Sequence, residues 1–183
     1  MKTKRIVRLF LSAAMAVAFS SPTFSQEQKP AIDITRAMLD AAAKIGAAAL
    51  KPGVAVSDRN IAVADMGGYN VSVAYVTRPA SKTMSGTVLS HDKITEIYYV
   101  TSGHGTQVTG TLVDGKKTAA STTIGPGWSS TTPIKNGRST TLGPGEMQII
   151  PPGLGHVWTE IADGGITYMV IRMDPEHVLA VSK

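Results

Sequence analysis

At 183 residues the chain has room for one domain with a sizeable core and not for two. It contains no cysteine, which excludes disulfides, thiolate metal sites and a cysteine nucleophile and leaves nitrogen and oxygen as the available metal ligands. The formal charge of +5 owes four of its positive charges to Lys2, Lys4, Arg5 and Arg8, and no run of Lys and Arg follows them, so nucleic acid is not an expected partner.

Those basic residues open MKTKRIVRLFLSAAMAVAFSSPTFSQ, in which an apolar stretch from Leu9 to Phe19 leads into small residues. This is the layout of an export signal, and the stretch is shorter than the roughly 20 residues a membrane-spanning helix needs. We expect residues 1–25 to be a signal peptide cleaved after Ser25, with cleavage after Ser20 as the alternative. The mature protein would then be periplasmic or secreted, without a stable membrane anchor. It would also be nearly neutral, with 14 basic against 13 acidic residues.

Residues 26–59 read as a polar leader and one helix. Asp33 is a candidate N-cap for a helix from about Ile34 to Leu50, whose apolar face would be Ile34, Met38, Ala41, Ile45 and Ala48. Lys51, Pro52 and Gly53 end it, because proline cannot continue the ladder and glycine tolerates the turn.

From there to residue 173 the pattern changes to short β-prone runs separated by Gly, Pro, Asn and Asp. Strands are predicted at 60–65, 71–77, 86–91, 95–101, 106–113, 146–150, 155–161 and 166–173, with Asp114 and Gly115 as a turn. Many short strands with no helices between them indicate an all-β sandwich or barrel. The Ser/Thr/Gly-rich segment 114–146 reads foremost as a flexible surface connection, with the alternative of a loop bordering a pocket and Trp128 as a candidate contact residue. Residues 174–183 form a tail in which Pro175 suggests a helix start, and His177 there is assigned no chemistry.

Two segments carry histidines. In GEMQIIPPGLGHVWTE, Gly145, Pro151, Gly153 and His156 fall on the places of the second motif of the cupin superfamily, with Glu160 in place of its final asparagine. In HDKITEIYYVTSGHG, His91, Glu96 and Gly103 match the first motif at the right separations, while Leu89 and Thr83 stand where that motif has a histidine and a glycine. The chain thus resembles the cupins over roughly residues 60–173. The resemblance implies a double-stranded β-helix, or jelly-roll, barrel with a ligand site inside it.

Strand alternation gives a reading of its own. Leu89 and His91 point one way, as do Glu96, Tyr98 and Val100. A glutamate inside a barrel is costly unless paired or bound to metal. His91, Glu96 and His156 together would make a two-histidine, one-carboxylate set suited to Fe(II) and permissive of Mn, Ni or Zn. Gln148, Tyr98 or water are candidates for a fourth ligand, and Leu89, Tyr98, Gln148 and Trp158 are candidates for the pocket. The bland alternative is that Glu96 accepts hydrogen bonds from His91 and a tyrosine in a metal-free pocket. His104, between two glycines, is expected in a solvated hairpin turn, Tyr168 in the core or pocket wall, and Arg172 in an exterior salt bridge rather than as an inward substrate anchor.

The function expected from these residues is a metal-dependent dioxygenase, lyase or isomerase acting on a small organic molecule, with Glu96 as a general base if no metal is present. The alternatives are a non-enzymatic small-molecule-binding protein and a structural or partner-binding protein. A homodimer is expected in each case, since an open barrel edge favours pairing.

Overall fold

Nine strands follow a single helix in the computed structural model, which describes residues 29–119 and 121–181. The proposed signal peptide and the first residues of the leader lie outside the described residues. No helix among the described residues is long and apolar enough to cross a membrane.

The helix α1 (Arg36–Ala49) is capped by Thr35, whose hydroxyl accepts the Met38 amide, and not by Asp33. Its buried face also differs from the expected one. Ala42 and Gly46 are buried while Ala41, Ile45 and Ala48 are exposed. The helix is alanine-rich on several faces, so periodicity alone does not choose the buried one. Close approach does: a Cβ on Gly46 would stand 3.3 Å from the Thr77 hydroxyl.

Strands β1 (Ser57–Asp65) and β2 (Asn70–Arg78) form a hairpin, and β2 continues the sheet against the end of β9 (Gly155–Asp174). Strand β4 (Thr95–Gly110) runs antiparallel to β9 along nearly its whole length. The first half of β4 also pairs with β8 (Met147–Ile150), and its second half with β7 (Arg138–Leu142). The start of β9 pairs with β3 (Val88–His91), which in turn pairs with β6 (Gly127–Ser130) and through it with β5 (Lys116–Lys117). All these pairings are antiparallel. Two sheets therefore share two long strands: β1, β2, the end of β9, the start of β4 and β8 make one, and β5, β6, β3, the start of β9, the end of β4 and β7 make the other.

The long strands replace four predicted ones. Residues 95–101 and 106–113 join into β4, which stops at Gly110, and 155–161 and 166–173 join into β9. What the sequence presents as turns are barrel corners. Gly103 has φ +74° and pairs with Ile166, next to Gly164 and Gly165 at φ +91° and +83°. A Cβ on Gly103 would collide with the Gly165 carbonyl, so the two strands can bend together only with glycine there. His104 accordingly sits within β4, exposed, and not in a hairpin turn. Asp114 does make the expected turn, at φ +52°.

Two further expectations change. Segment 114–146 contributes β5, β6 and β7, and is not a featureless connection. After Pro175 the described residues form a turn and no helix: the Asp174 carboxylate accepts the Val178 and Leu179 amides and folds the tail back, with His177 against Asn70. The core between the sheets includes Ala74, Val76, Val100, Ile150, Ile161, Ile166 and Val170, with Tyr98, Trp158 and Tyr168 at its edge toward a cavity.

Candidate metal and ligand site

The cavity has a volume of about 210 Å³ and lies between the two sheets. That is below the roughly 300 to 1,000 Å³ of pockets for drug-sized ligands, so its occupant is small. Alternation delivers the site. On β4, Glu96, Tyr98 and Val100 face inward; on β9, His156 and Trp158 come from one half and Tyr168, Val170 and Arg172 from the other. The turn at Pro151, Pro152 and Gly153 fixes the two histidines relative to each other, because the Gly153 amide donates to the His91 carbonyl at 2.8 Å. Leu89 pairs with His156 across β3 and β9 and lines the cavity.

The structure brings His91, Glu96 and His156 together, all buried, with one candidate ligand atom from each lying within 4.8 Å of the others. Both Nε2 atoms stand 3.5 Å from the same Glu96 Oε2. This is longer than a normal hydrogen bond of about 2.7 to 3.2 Å. It is close to the roughly 3.0 to 3.4 Å that separates neighbouring ligands each about 2.1 Å from one ion. Two of the three separations therefore suit a divalent ion placed between these atoms, and the two imidazole nitrogens lie within 4.8 Å of each other.

Protonation agrees with that fit. Burial lowers the His156 imidazole from 6.5 to about 4, against the opposing pull of Glu96, so the ring is neutral at pH 7. Its Nδ1 lies 3.2 Å from the Leu154 carbonyl; a proton held there leaves the Nε2 lone pair facing the cavity. Burial opposes ionisation of Glu96, but Arg172, followed by His91 and His156, outweighs it and holds the carboxyl at about 2.

Arg172 is the main correction to the sequence reading. It is buried, donates from Nε to Glu96 Oε1 at 2.9 Å, and grips Asp58 with both terminal nitrogens and Asn60 Oδ1 with one of them. It is neither an exterior salt bridge nor a free substrate anchor. By occupying Oε1 it turns Oε2 toward the histidines. Tyr98 donates to Oε2 at 3.0 Å, and burial, reinforced by Glu96, raises its phenol well above the ordinary value, so it keeps its proton.

Gln148 does not line the cavity, so it is not placed as a ligand or pocket residue. It pairs with Tyr98 across β4 and β8, and its Oε1 is buried without a partner, as are both polar atoms of Gln107 and the Thr140 hydroxyl. Trp128 is exposed on β6 and borders a separate surface groove. Segment 114–146 does border the pocket, through Ser121, Thr123 and Ile124. Sequence reasoning also missed Asp58 and Arg78, which line the cavity. Their signal was parity: Arg78 shares the inward face of β2 with Ala74 and Val76.

No protein-family model matches the sequence, and no curated protein matches it. Among solved structures the chain is similar to KdgF from Halomonas sp., at 14% identity over 69% of this chain and 84% of that one, with a TM-score of 0.41. It is also similar to the Bacillus halodurans protein BH2720, at 13% identity over 81% and 85% with a TM-score of 0.45. A cupin protein from Bacteroides fragilis is similar at 17% identity over 64% and 75%, with a TM-score of 0.37. With two antiparallel sheets sharing two corner-bent strands, and both histidine segments facing one cavity between them, the chain has an all-β barrel of the cupin type.

Proposed function

We propose that this protein is a metal-dependent enzyme acting on a small organic molecule, of the dioxygenase, lyase or isomerase class, with His91, Glu96 and His156 holding the ion. The observation that carries the reading is the pair of 3.5 Å separations from two imidazole nitrogens to a single carboxylate oxygen. A two-histidine, one-carboxylate set with open positions suits Fe(II) and accommodates Mn, Ni or Zn. When bound, such an ion supplies Lewis-acid polarisation of a substrate carbonyl or hydroxyl.

The chain's own residues have separable tasks in this reading. Arg172 and the Leu154 carbonyl orient Glu96 and His156. Tyr98 commits its proton to Glu96 Oε2 at the edge of the cavity and so helps to fix that carboxylate. Glu96 is a ligand and not the general base, because a carboxyl held at about 2 is a weak base at neutral pH. Trp158 and the ring of Tyr168 supply apolar, water-excluding walls.

A second reading, a metal-free binding pocket, is favoured by one observation. Glu96 already has Arg172 and Tyr98 as partners, so its ionised form does not require an ion. Metal per chain in untagged protein, measured by elemental analysis beside His91→Ala and His156→Ala, separates the two. Near-stoichiometric metal lost in both variants is expected. Metal-free wild type after reconstitution with Fe(II), Mn, Ni and Zn in turn sinks the enzyme reading in favour of the pocket.

Export and homodimer formation are part of the proposal. The first is supported by the N-terminal segment alone and is tested by sequencing the N-terminus of protein recovered from the periplasm or medium. The second is supported by Met147, Ile149 and Tyr99, exposed side by side on β8 and β4, and is tested by light scattering in solution.

A further inference from the structure

Two cations line the cavity, and they are differently engaged. Arg172 is taken up by Glu96, Asp58 and Asn60. Arg78 has no carboxylate partner among the described residues. Its Nε donates to the Tyr168 hydroxyl at 2.9 Å and its Nη1 to the Ser85 carbonyl at 3.1 Å and hydroxyl at 3.4 Å, leaving Nη2 without an acceptor. Tyr168 is in a matching position. Its oxygen accepts from Arg78 Nε and, at 3.2 Å, from Trp158 Nε1, so its own hydrogen remains to be donated, and no described residue accepts it. Arg78 and Tyr168 both line the cavity that Glu96 and the two histidines face.

Two adjacent unclaimed donors, one of them charged, match the two oxygens of a carboxylate. A phosphate, with more oxygens to satisfy, would call for further donors. Charge is permissive and not decisive: Arg78 and Arg172 balance Glu96 and Asp58 when no ion is present, and a divalent ion would leave an excess of +2 that an anionic ligand reduces. We infer that the cavity takes a small carboxylic acid whose carboxylate is seated on Arg78 Nη2 and the Tyr168 hydroxyl. This deepens the proposal that the cavity binds a small organic molecule and rests on that part of it; it does not depend on the ion.

The test is calorimetric or ligand-observed NMR titration of the full-length mature protein, as purified and after metal loading, with pyruvate, succinate and benzoate beside pyruvamide, succinamide and benzamide. At least one carboxylate should bind tenfold or more tighter than its amide. Arg78→Met should abolish that preference, with metal content unchanged by elemental analysis. Tyr168→Phe, which keeps the ring, should reduce the preference several-fold, and it decides the matter if Arg78→Met does not fold. Carboxylates that bind no tighter than amides, a preference that survives in the variants, or tighter binding of inorganic phosphate than of any carboxylate would each overturn the inference. Loss of metal in His156→Ala with the Arg78-dependent preference intact would support the seat, which does not depend on the ion.

Discussion

Removing Arg172 tests the electrostatic account of the site most directly. Glu96 and Arg172 are 1% and 2% exposed, so in Arg172→Met the carboxylate loses its main counter-charge where water cannot replace it. Asp58, with a quarter of its side chain exposed, can be solvated instead. Breaking one side of such a buried pair costs about 3 to 5 kcal/mol. At about 2 to 4 °C per kcal/mol for a chain of this size, the melting temperature should fall by roughly 6 to 20 °C. Burial is the largest influence on Glu96, so its pKa should rise from about 2 toward or beyond its ordinary 4.5 once Arg172 is gone. Urea unfolding of wild type, Arg172→Met, Glu96→Gln and the double variant, all in chelator, measures this as a cycle. Adding Glu96→Gln should recover most of the loss. A single-variant cost under about 1 kcal/mol, or no recovery in the double variant, would refute the assignment of Arg172 as the counter-charge of Glu96.

Acid should weaken the fold in two steps. His156 is lowered from 6.5 to about 4, so the unfolded chain takes up a proton that the native state refuses, and stability falls as pH drops from 6.5 to 4. Glu96 is lowered from 4.5 to about 2, so its contribution is complete above 4.5 and is lost as pH falls toward 2. Each step is worth about 3 kcal/mol at 1.36 kcal/mol per unit. Urea midpoints against pH should flatten in the upper window for His156→Gln and in the lower for Glu96→Gln. Gly103→Ala should cost more than about 2 kcal/mol, since its positive φ and the Gly165 carbonyl both exclude a methyl group; a melting temperature equal to wild type would mean that the corner can relax. Gln107→Met should be neutral or stabilising, because neither polar atom of Gln107 has a protein partner; a loss above about 1 kcal/mol would point to a bound water or ligand.

The barrel and the two histidines were legible because their signals are local. Alternation marks Glu96 and Tyr98 as facing one way, and the Pro151, Pro152, Gly153 turn ahead of His156 is written in adjacent residues. The merged strands were not legible, since Gly103 to Gly105 and Gly164 with Gly165 have the composition of hairpin turns. A corner differs from a turn only in what the chain does next, and here the far half of β4 goes on pairing with β9. Arg172 shows a signal present and overruled. It has the parity of Tyr168 and Val170, which are buried, yet an isolated arginine near the end of a strand is more often solvated. Its partner Asp58 lies 114 residues away, and no local pattern joins the two.

One strand carries most of the site. His156, Trp158, Tyr168 and Arg172 all belong to β9, which is hydrogen-bonded to β2, β3 and β4. Those pairings join segments far apart in sequence, and loop closure of that kind is entropically costly and slow. Opening of β9 in the native state would dismantle the histidine pair, the Arg172 brace and the Tyr168 donor together, so amide exchange along this strand should report the lifetime of the whole site.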